Sequence, residues 1–410
     1  MIIERGLGSS VWDLDGNRYL DLTASHGAIL LGHADPNVDR AVTNAISGRG
    51  NIFVSNYSPE EDELRERLAE LFPCAESALF FRTGSCANSA AVRLAQFHTG
   101  KRMVLSAGYH GWHDWQVQMF PPLRSPDSFA IDFAYNLNAL ELLLEKHRGD
   151  VAAVTVAPEP NFYGAEYHVE LRALCDRAGA LLIFDEVFTG IRHGAGGYQS
   201  ACGVTPDLAA IGKGLANGYG LSAVLGPRAI LAGAKQAHVT GTFNRERTPI
   251  VAALETMRIV REQSVHERLR VLGTQLMDGL NEIFRARGVR ALAWRCPQYF
   301  YLIFEHPELE DRFNSGLLEH HVLVHPHDAA PRVTYAHGEA EIQRVLVAVD
   351  DVLERLVSAH GDMADRGDGP AVSAAALRRV TLNEFGGLPD YRAPVEALPG
   401  RWEPNFDSWE

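Results

Sequence analysis

The segment GALLIFDEVFTG, residues 179–190, places two acidic residues directly after an apolar run. The run ALLIF (180–184) has the length and composition of a strand that is buried on both faces. A carboxylate at the end of such a strand lies against the core, where burial is costly unless a cationic group pairs with it. Asp185 and Glu186 therefore predict a cationic partner or ligand at the end of this strand.

Further short apolar runs alternate with amphipathic helical patterns along the middle of the chain. The runs that predict strands are SALFF (77–81), MVLSA (103–107), VAAVTVA (151–157), DLAAIG (207–212) and LSAVLG (221–226). Helices are predicted at 87–97, 137–147 and 168–179. This alternation predicts an α/β fold with a mostly parallel sheet. Ligands of such sheets bind beyond the carboxyl ends of the strands, which is where Asp185 lies.

The two ends of the chain have a different pattern. SSVWDLDGNRYLDL (9–22) contains Asp15-Gly16 between alternating residues, which predicts a hairpin. Strands are predicted at 299–307 and 322–326, and an amphipathic helix at 341–356. No internal repeat is visible.

These patterns predict a large domain and a smaller one. We predict a cofactor-binding large domain at 46–269, a small α+β domain formed by 1–45 together with 270–357, and a C-terminal extension at 358–410. The extension starts with a polar, Gly-rich linker and ends with RWEPNFDSWE (401–410), whose aromatic residues favour docking on the protein.

The composition of the chain argues against a nucleic-acid partner and against a membrane span. The 410 residues include 38 basic and 52 acidic ones, which gives a formal net charge of −14 and argues against a nucleic-acid partner. The same charge permits a cationic substrate. Five cysteines without CxxC spacing favour a reducing compartment. We expect no membrane span, because no apolar run approaches ~18 residues, and a cytoplasmic protein without a signal peptide.

Four elements at predicted strand ends carry groups that suit a single ligand. Gly84-Ser85 precedes a helix and offers backbone N–H groups to an anion. Tyr109 lies in an aromatic cluster, Asp185 ends its strand, and Lys213 lies among small residues after another strand. A phosphate would suit the N–H groups of Gly84-Ser85, and a flat ring would suit Tyr109. A protonated ring nitrogen would suit Asp185, and an aldehyde would suit Lys213. The ligand with all four is pyridoxal 5′-phosphate (PLP).

The order and spacing of longer motifs resemble those of a known family. The motifs are VWDLDGNRYLDL, LLGHADPNV, TGSCANSAAVRLA, YHGWHD, LLIFDEVFTGIR, GVTPDLAAIGKGLANG and GTFNRERTP. Over roughly residues 5–357 the chain resembles the class III aminotransferases of PLP fold type I. It is most similar to the branch that contains glutamate-1-semialdehyde aminomutase.

The resemblance implies roles for the residues around the cofactor ring. Lys213 would bind PLP covalently, and Asp185 would bond the pyridine nitrogen. Val187 would pack under the ring, while Tyr109 stacks on its other face with His110 beside it. The catalytic pair would thus be Lys213 and Asp185.

The resemblance also implies how the phosphate is held. Gly84 and Ser85 would bind it through N–H groups and a hydroxyl. Thr242, in GTF, would bind the phosphate of the neighbouring subunit. The active unit would then be a homodimer with composite active sites.

The implied reaction moves an amine from an amino-acid donor to a carbonyl acceptor by a ping-pong mechanism. An amino-sugar or aminoglycoside aldehyde is our choice of acceptor. One alternative is a glutamate-1-semialdehyde-type 2,1-aminomutase, which Phe188 favours because many members with separate donor and acceptor have Gln there. The other is a non-catalytic PLP-fold scaffold, against which the retention of Lys213 and Asp185 argues.

Substrate-binding residues are predicted only as candidates. They are His26, Glu159, Arg192 and Arg332, of which the two arginines could bind a substrate carboxylate. Histidines at 320, 321, 325, 327 and 337 have no spacing typical of a metal site, so we expect no metal.

Overall fold

The structure is a computed structural model that describes residues 1–52, 56–117, 123, 128–324, 330–359 and 371–398. Its strands are β1 (Ile3–Leu7), β2 (Ser10–Asp13), β3 (Arg18–Asp21), β4 (Ser77–Phe81), β5 (Met103–Ala107), β6 (Ala130–Asp132), β7 (Val151–Val156), β8 (Leu181–Glu186), β9 (Leu208–Ile211), β10 (Ser222–Gly226), β11 (Ala291–Trp294), β12 (Tyr301–Phe304) and β13 (Val322–Leu323). Its α-helices are α1 (Ala24–Gly27), α2 (Pro36–Arg49), α3 (Pro59–Leu71), α4 (Gly84–Thr99), α5 (Leu137–Lys146), α6 (Ala165–Ala178), α7 (Thr189–Arg192), α8 (Gly197–Cys202), α9 (Arg228–Leu231), α10 (Arg247–Glu262), α11 (Val265–Ala286), α12 (Pro307–Glu319), α13 (Glu339–Ala359) and α14 (Ala374–Glu384).

The chain divides into two compact units. The first consists of Met1–Asn44 and Glu255–Val380, and the second of Ala45–Leu254 and Thr381–Glu410. The predicted boundary at 45/46 lies one residue from the observed one. The other two predicted boundaries differ from this division, since the units change at 254/255 and the predicted extension is divided at 380/381.

The difference near residue 270 has a physical reason. A boundary at 269/270 would cut α11, a continuous amphipathic helix whose buried face includes Leu269, Leu272 and Leu276. This helix packs against α13 and β11 within the first unit. The apolar face of α11 is buried as one surface in the first unit, whereas the boundary at 254/255 falls within α10.

A seven-stranded sheet forms the centre of the second unit, in the order β4-β10-β9-β8-β7-β5-β6. All pairings are parallel except those of β10, which is antiparallel to both of its neighbours. The six strands that the sequence predicted here are confirmed, and β6 adds an unpredicted edge. The predicted α/β class with a mostly parallel sheet is therefore confirmed.

Helix α4 packs on this sheet through small and apolar side chains. Ala87, Ala91, Leu94 and Ala95, the face predicted from the sequence, are all fully buried. They share a cluster with strand residues such as Ile183. Burial of a side chain of the size of Leu94 stabilises the fold by about 2 kcal/mol. The packing fixes the first turn of α4 at the end of β4.

The first unit contains a four-stranded sheet in the order β1-β2-β3-β13. The predicted hairpin is confirmed as β2 and β3, joined through Gly16 at a φ of +83°. The Asp13 carboxylate accepts a 2.8 Å bond from the Asn17 backbone N–H and so fixes the turn. β13 pairs in parallel with β3, and β11 with β12 forms a separate hairpin.

Part of the predicted extension packs on the second unit. The Arg392 guanidinium bonds Glu170 at 2.7 Å and Glu141 at 3.0 Å. The hydroxyl of Tyr163 donates to the Leu388 carbonyl at 3.1 Å. The aromatic segment at 401–410, for which docking was predicted, lies outside the described residues, as does most of the Gly-rich linker.

Within the described ranges, no helix is both long enough and apolar enough to cross a membrane.

Candidate functional site

The two acids that end β8 have different surroundings. Successive strand residues direct their side chains to opposite faces of the sheet. The Asp185 Oδ2 accepts from Asn88 Nδ2 at 2.7 Å and from His110 Nδ1 at 2.9 Å. Its Oδ1 accepts from the Val187 N–H at 3.1 Å. An amide, an imidazole and a backbone N–H thus hold this buried carboxylate, which is only 6% exposed.

Glu186 is fully buried on the other face and is held by the first turn of α8. Its carboxylate accepts from the Tyr198 N–H at 2.5 Å and from Gln199 Nε2 at 2.9 Å. Burial raises the pKa of Glu186, and these bonds partly offset that effect. Its role is therefore structural, because protein N–H groups replace the cation that the sequence led us to expect.

The first turn of α4 presents free backbone donors. The Thr83 side chain caps the helix by accepting from the Cys86 N–H at 3.2 Å, and the Thr83 carbonyl accepts from the Ala87 N–H. The N–H groups of Gly84 and Ser85 meet no acceptor in the described part of the chain. Together with the dipole of a 16-residue helix, they form a site suited to an anion.

Close packing joins this turn to the end of β8. A Cβ added to Gly84 would lie 2.7 Å from Cγ1 of Val187, which is closer than such contacts permit. Glycine at 84 therefore lets the anion-binding turn approach Val187, two residues after Asp185.

The loop after β5 is fastened to the same turn. Gly111 has a φ of +127°, and a Cβ there would overlap the Ser85 hydroxyl. Gln116 Nε2 donates to the Ser85 carbonyl at 2.9 Å. These contacts hold the segment in which His110 is buried against Asp185, whereas Tyr109 is 57% exposed.

Lys213 lies at the same edge of the sheet. Strand β9 pairs in parallel with β8, with Asp185 opposite Ala210, so both strands end side by side. Lys213 follows β9 and has a φ of +45°, a conformation that is strained for a non-glycine residue. Its Nζ lies 4.9 Å from the ring centre of Phe188. The amine is thus close to the segment that follows Asp185.

Thr242 begins an exposed 3-10 turn that spans Thr242–Arg245. The neighbouring Phe243 side chain is 61% exposed. An open cavity of about 590 Å³ adjoins this segment, and it is lined by α4 residues including Ser89 and Arg93 together with Thr240 and Asn244. The cavity does not include Asp185 or Lys213, so it is not itself the site at the strand ends.

The four substrate candidates are divided between the two units. Glu159 is buried and accepts from Asn161 Nδ2 at 2.9 Å, within its own loop. Arg192 is 1% exposed and ends α7. Exposed His26 and buried Arg332 both belong to the first unit, whereas the groups around Asp185 belong to the second.

The described residues contain no group of three or more His, Cys, Asp or Glu that could hold a metal ion. His325 and His327, which belonged to the histidine set in the sequence, lie outside the described ranges.

Asn88 and Gln116 were not predicted as site residues from the sequence, although Asn88 bonds Asp185 and Gln116 bonds the Ser85 carbonyl. Asn88 could have been found by its position, since it is a polar residue on the apolar face of α4, next to Ala87 and Ala91. Gln116 offers no such signal, because its partners depend on how the loop after β5 folds back.

The chain is similar to aminotransferases over most of its length. The family model described as "Aminotransferase class-III" matches residues 1–292. A 2′-deamino-2′-hydroxyneamine transaminase of Streptomyces kanamyceticus is 39% identical over 366 residues, 88% of this chain and 91% of that one. A glutamate-1-semialdehyde 2,1-aminomutase of Roseiflexus castenholzii is 32% identical over 395 residues, 87% and 91% of the two chains. The solved structure of the FumI protein of Sphingopyxis sp. MTA144, in its PLP internal aldimine form, has a TM-score of 0.80 and 28% identity, covering 89% of this chain and 91% of that one.

Substitution of Gly84 by alanine tests the packing of the anion-binding turn. We expect Gly84→Ala to lower the free energy of unfolding by about 1–3 kcal/mol, because the new Cβ overlaps Val187. It should also weaken retention of PLP, because the turn must move. Denaturant unfolding and the absorbance of bound cofactor measure the two effects.

Gly48→Ala is the matched control, since a Cβ at this helical glycine meets nothing within 4 Å. It should stabilise the chain by about 0.5 kcal/mol through helix propensity and leave PLP retention unchanged. Equal stability and equal PLP retention of the two variants would contradict the packing argument.

Proposed function

Because the chain belongs to the class-III aminotransferase family and is a PLP-dependent enzyme, we propose first that the residues at the ends of β8 and β9 hold the cofactor. We propose second that the acceptor of the amine is an oxidised amino sugar. The observation that carries the first part is the convergence of Asp185, Lys213 and the first turn of α4 at one edge of the sheet.

The chemistry of these groups fits PLP. The N–H groups of Gly84 and Ser85, which meet no acceptor among the described residues, suit its phosphate. The Asp185 carboxylate suits a protonated ring nitrogen, and the Lys213 amine suits the aldehyde. The contact between Gly84 and Val187 supports a place for Val187 beneath the ring.

When bound, PLP supplies an aldehyde that takes up an amine and a ring that withdraws electrons from the substrate carbon. Lys213 Nζ would hold the cofactor covalently and, as a free amine, would be the base that accepts and returns the substrate proton. The buried carboxylate of Asp185 would favour the protonated form of the ring nitrogen. His110 and Asn88 hold that carboxylate in place.

We propose further that the active unit is a homodimer in which Thr242 completes the phosphate site of the neighbouring subunit. The exposure of Thr242 and Phe243 supports this, as does the open cavity beside them. Tyr109 is exposed in the single chain, which is compatible with a stacking role that a bound ring would complete.

The acceptor is inferred from relatives and from charge. The relative from Streptomyces kanamyceticus is named for an aminoglycoside intermediate. A relative 30% identical is an aminopentol aminotransferase of Sphingopyxis macrogoltabida. Both names describe amines rich in hydroxyl groups. The net charge of −14 also favours a polycationic substrate over an anionic one.

A 2,1-aminomutase is the second candidate function. The apolar Phe188 after Val187, with its ring 4.9 Å from Lys213 Nζ, favours it, and so do relatives of that name at 29–33% identity. An aminomutase needs no external donor, which separates the two functions in solution.

We retain a cytoplasmic location as part of the proposal. The five cysteines all lie in the described ranges and form no disulfide there, and three of them are buried, as is compatible with a reducing compartment.

Reductive labelling tests the cofactor lysine. Borohydride treatment of the holoenzyme should fix a pyridoxyl group on the peptide that contains Lys213, as read by mass spectrometry. Lys213→Ala should lose the label, whereas Lys101→Arg should keep it, because Lys101 Nζ bonds the carbonyl of Gly179, which precedes β8, whereas Asp185 lies at the other end of that strand. Label on Lys101 or Lys235 in the unaltered chain would remove Lys213 from its proposed role.

The acceptor is tested by loading the enzyme with the amine and following the return of PLP absorbance. We expect an aminoglycoside with one hydroxyl oxidised to a carbonyl to react at least 100-fold more efficiently, in kcat/KM, than a 2-oxo acid. Its KM should rise with salt, because exposed charge pairs are screened over about 8–10 Å.

The matched control is a sugar of the same size that carries the carbonyl but no amines. It should lose both the advantage in kcat/KM and the dependence of KM on salt. The proposal is wrong if glutamate-1-semialdehyde isomerises without a donor as fast as the best transamination.

A further inference from the structure

Asn88 is a buried polar residue in the apolar face of α4. Asn88 is 2% exposed, and its neighbours Ala87 and Ala91 are fully buried among apolar side chains. Packing alone does not account for an amide at this position, since the surrounding helix face is built of alanines that fit closely against the sheet.

The amide group of Asn88 connects two parts of the candidate site. Nδ2 donates to Asp185 Oδ2 at 2.7 Å and to the His110 carbonyl at 2.9 Å. Both of these atoms accept hydrogen bonds, so the amide nitrogen has to face them, since the reverse orientation would oppose oxygen to oxygen. The Asn88 side chain therefore ties the end of β8 to the loop after β5.

This arrangement has a cost in stability. The Asn88 Oδ1 is buried and has no hydrogen-bond partner within the described ranges. A buried acceptor without a donor destabilises a fold, and an apolar side chain at 88 would avoid that loss. The two hydrogen bonds that Nδ2 donates offset this loss of stability. Because one of them goes to Asp185, the side chain of Asn88 has a role at that carboxylate.

The donors on Asp185 are distributed unequally. Oδ2 receives two side-chain N–H groups, from Asn88 and His110, whereas Oδ1 receives, from the described residues, only the Val187 N–H at 3.1 Å. A carboxylate oxygen that already accepts two such bonds has less capacity for a third. The plane of the carboxylate is thus fixed with Oδ1 as the oxygen that remains available to a ligand.

We propose that Asn88 is a positioning residue for the cofactor, acting through Asp185 by occupying Oδ2 and directing Oδ1 to the ring nitrogen. This inference rests on the proposed function, in which Asp185 receives that nitrogen. Asn88 itself need not touch the cofactor, so its effect should depend on whether the ring carries a nitrogen at all.

The test compares two ligands on the full chain, freed of cofactor and reloaded. One is PLP, and the other is its 1-deaza analogue, which keeps the aldehyde and the phosphate but has C–H in place of the ring nitrogen. Dissociation constants are read from cofactor absorbance. Asn88→Ala should weaken PLP binding about tenfold, as expected for loss of a hydrogen bond to a charged group, and should change binding of the analogue less than twofold.

Asn88→Leu is the second variant, because it keeps approximately the size of the side chain and removes the donor to Oδ2. It should show the same selective loss of PLP binding without creating a cavity. Asn138→Ala is the matched control, since Asn138 Nδ2 also donates to two oxygen atoms, the carbonyls of Arg392 and Ala393, but does not touch Asp185. It should leave both dissociation constants unchanged.

Asp185→Asn separates this inference from the function on which it rests. If Asp185→Asn weakens PLP binding selectively while both Asn88 variants bind PLP normally, or weaken both ligands equally, the positioning role is wrong and the role of Asp185 stands. If Asp185→Asn itself affects both ligands equally, the proposed partner of the ring nitrogen is wrong, and the inference about Asn88 is overturned with it.

Discussion

The buried carboxylate of Asp185 is the constraint on which the site depends. A charge in this position has to be compensated by donors, because burial without them would be prohibitive. The donors come from three separate elements: Asn88 from α4, His110 from the loop after β5, and Val187 from the residues after β8. These elements must therefore meet at one point, and the same convergence brings the first turn of α4 beside Val187.

Asp185 and Glu186 are both acidic residues at the end of a buried strand, but their carboxylates are held in different ways. Glu186 is satisfied by the first turn of α8 and by Gln199, so its burial stabilises a local arrangement. Asp185 is held by donors from three elements, with two of its three hydrogen bonds on Oδ2. Other local costs occur nearby, namely the positive φ of Lys213 and the Oδ1 of Asn88, which has no hydrogen-bond partner among the described residues. Costs that concentrate at one edge of a sheet are typical of a functional site, where geometry takes precedence over stability.

The sequence predicted the sheet, and it named Gly84, Asp185 and Lys213 as candidates for the site, because these features depend on local patterns. Strands buried on both faces leave continuous apolar runs, and Gly84-Ser85 precedes an evident helix. The bond between Asn88 and Asp185 was not predictable, since it joins residues 97 positions apart and depends on how α4 packs on the sheet. The predicted boundary near residue 270 differs from the division of the chain at 254/255, because a helical pattern alone does not say which core its apolar face joins.

The most direct test of this account is the protonation state of the cofactor ring. PLP labelled with ¹⁵N in the ring can be bound to the full chain and its nitrogen chemical shift followed by NMR across neutral pH. We predict that the nitrogen is protonated in the unaltered protein and that it loses its proton in Asp185→Asn, in which a neutral amide replaces the carboxylate. An unprotonated nitrogen in the unaltered protein, or the same shift in both proteins, would contradict the pairing of Asp185 with the ring.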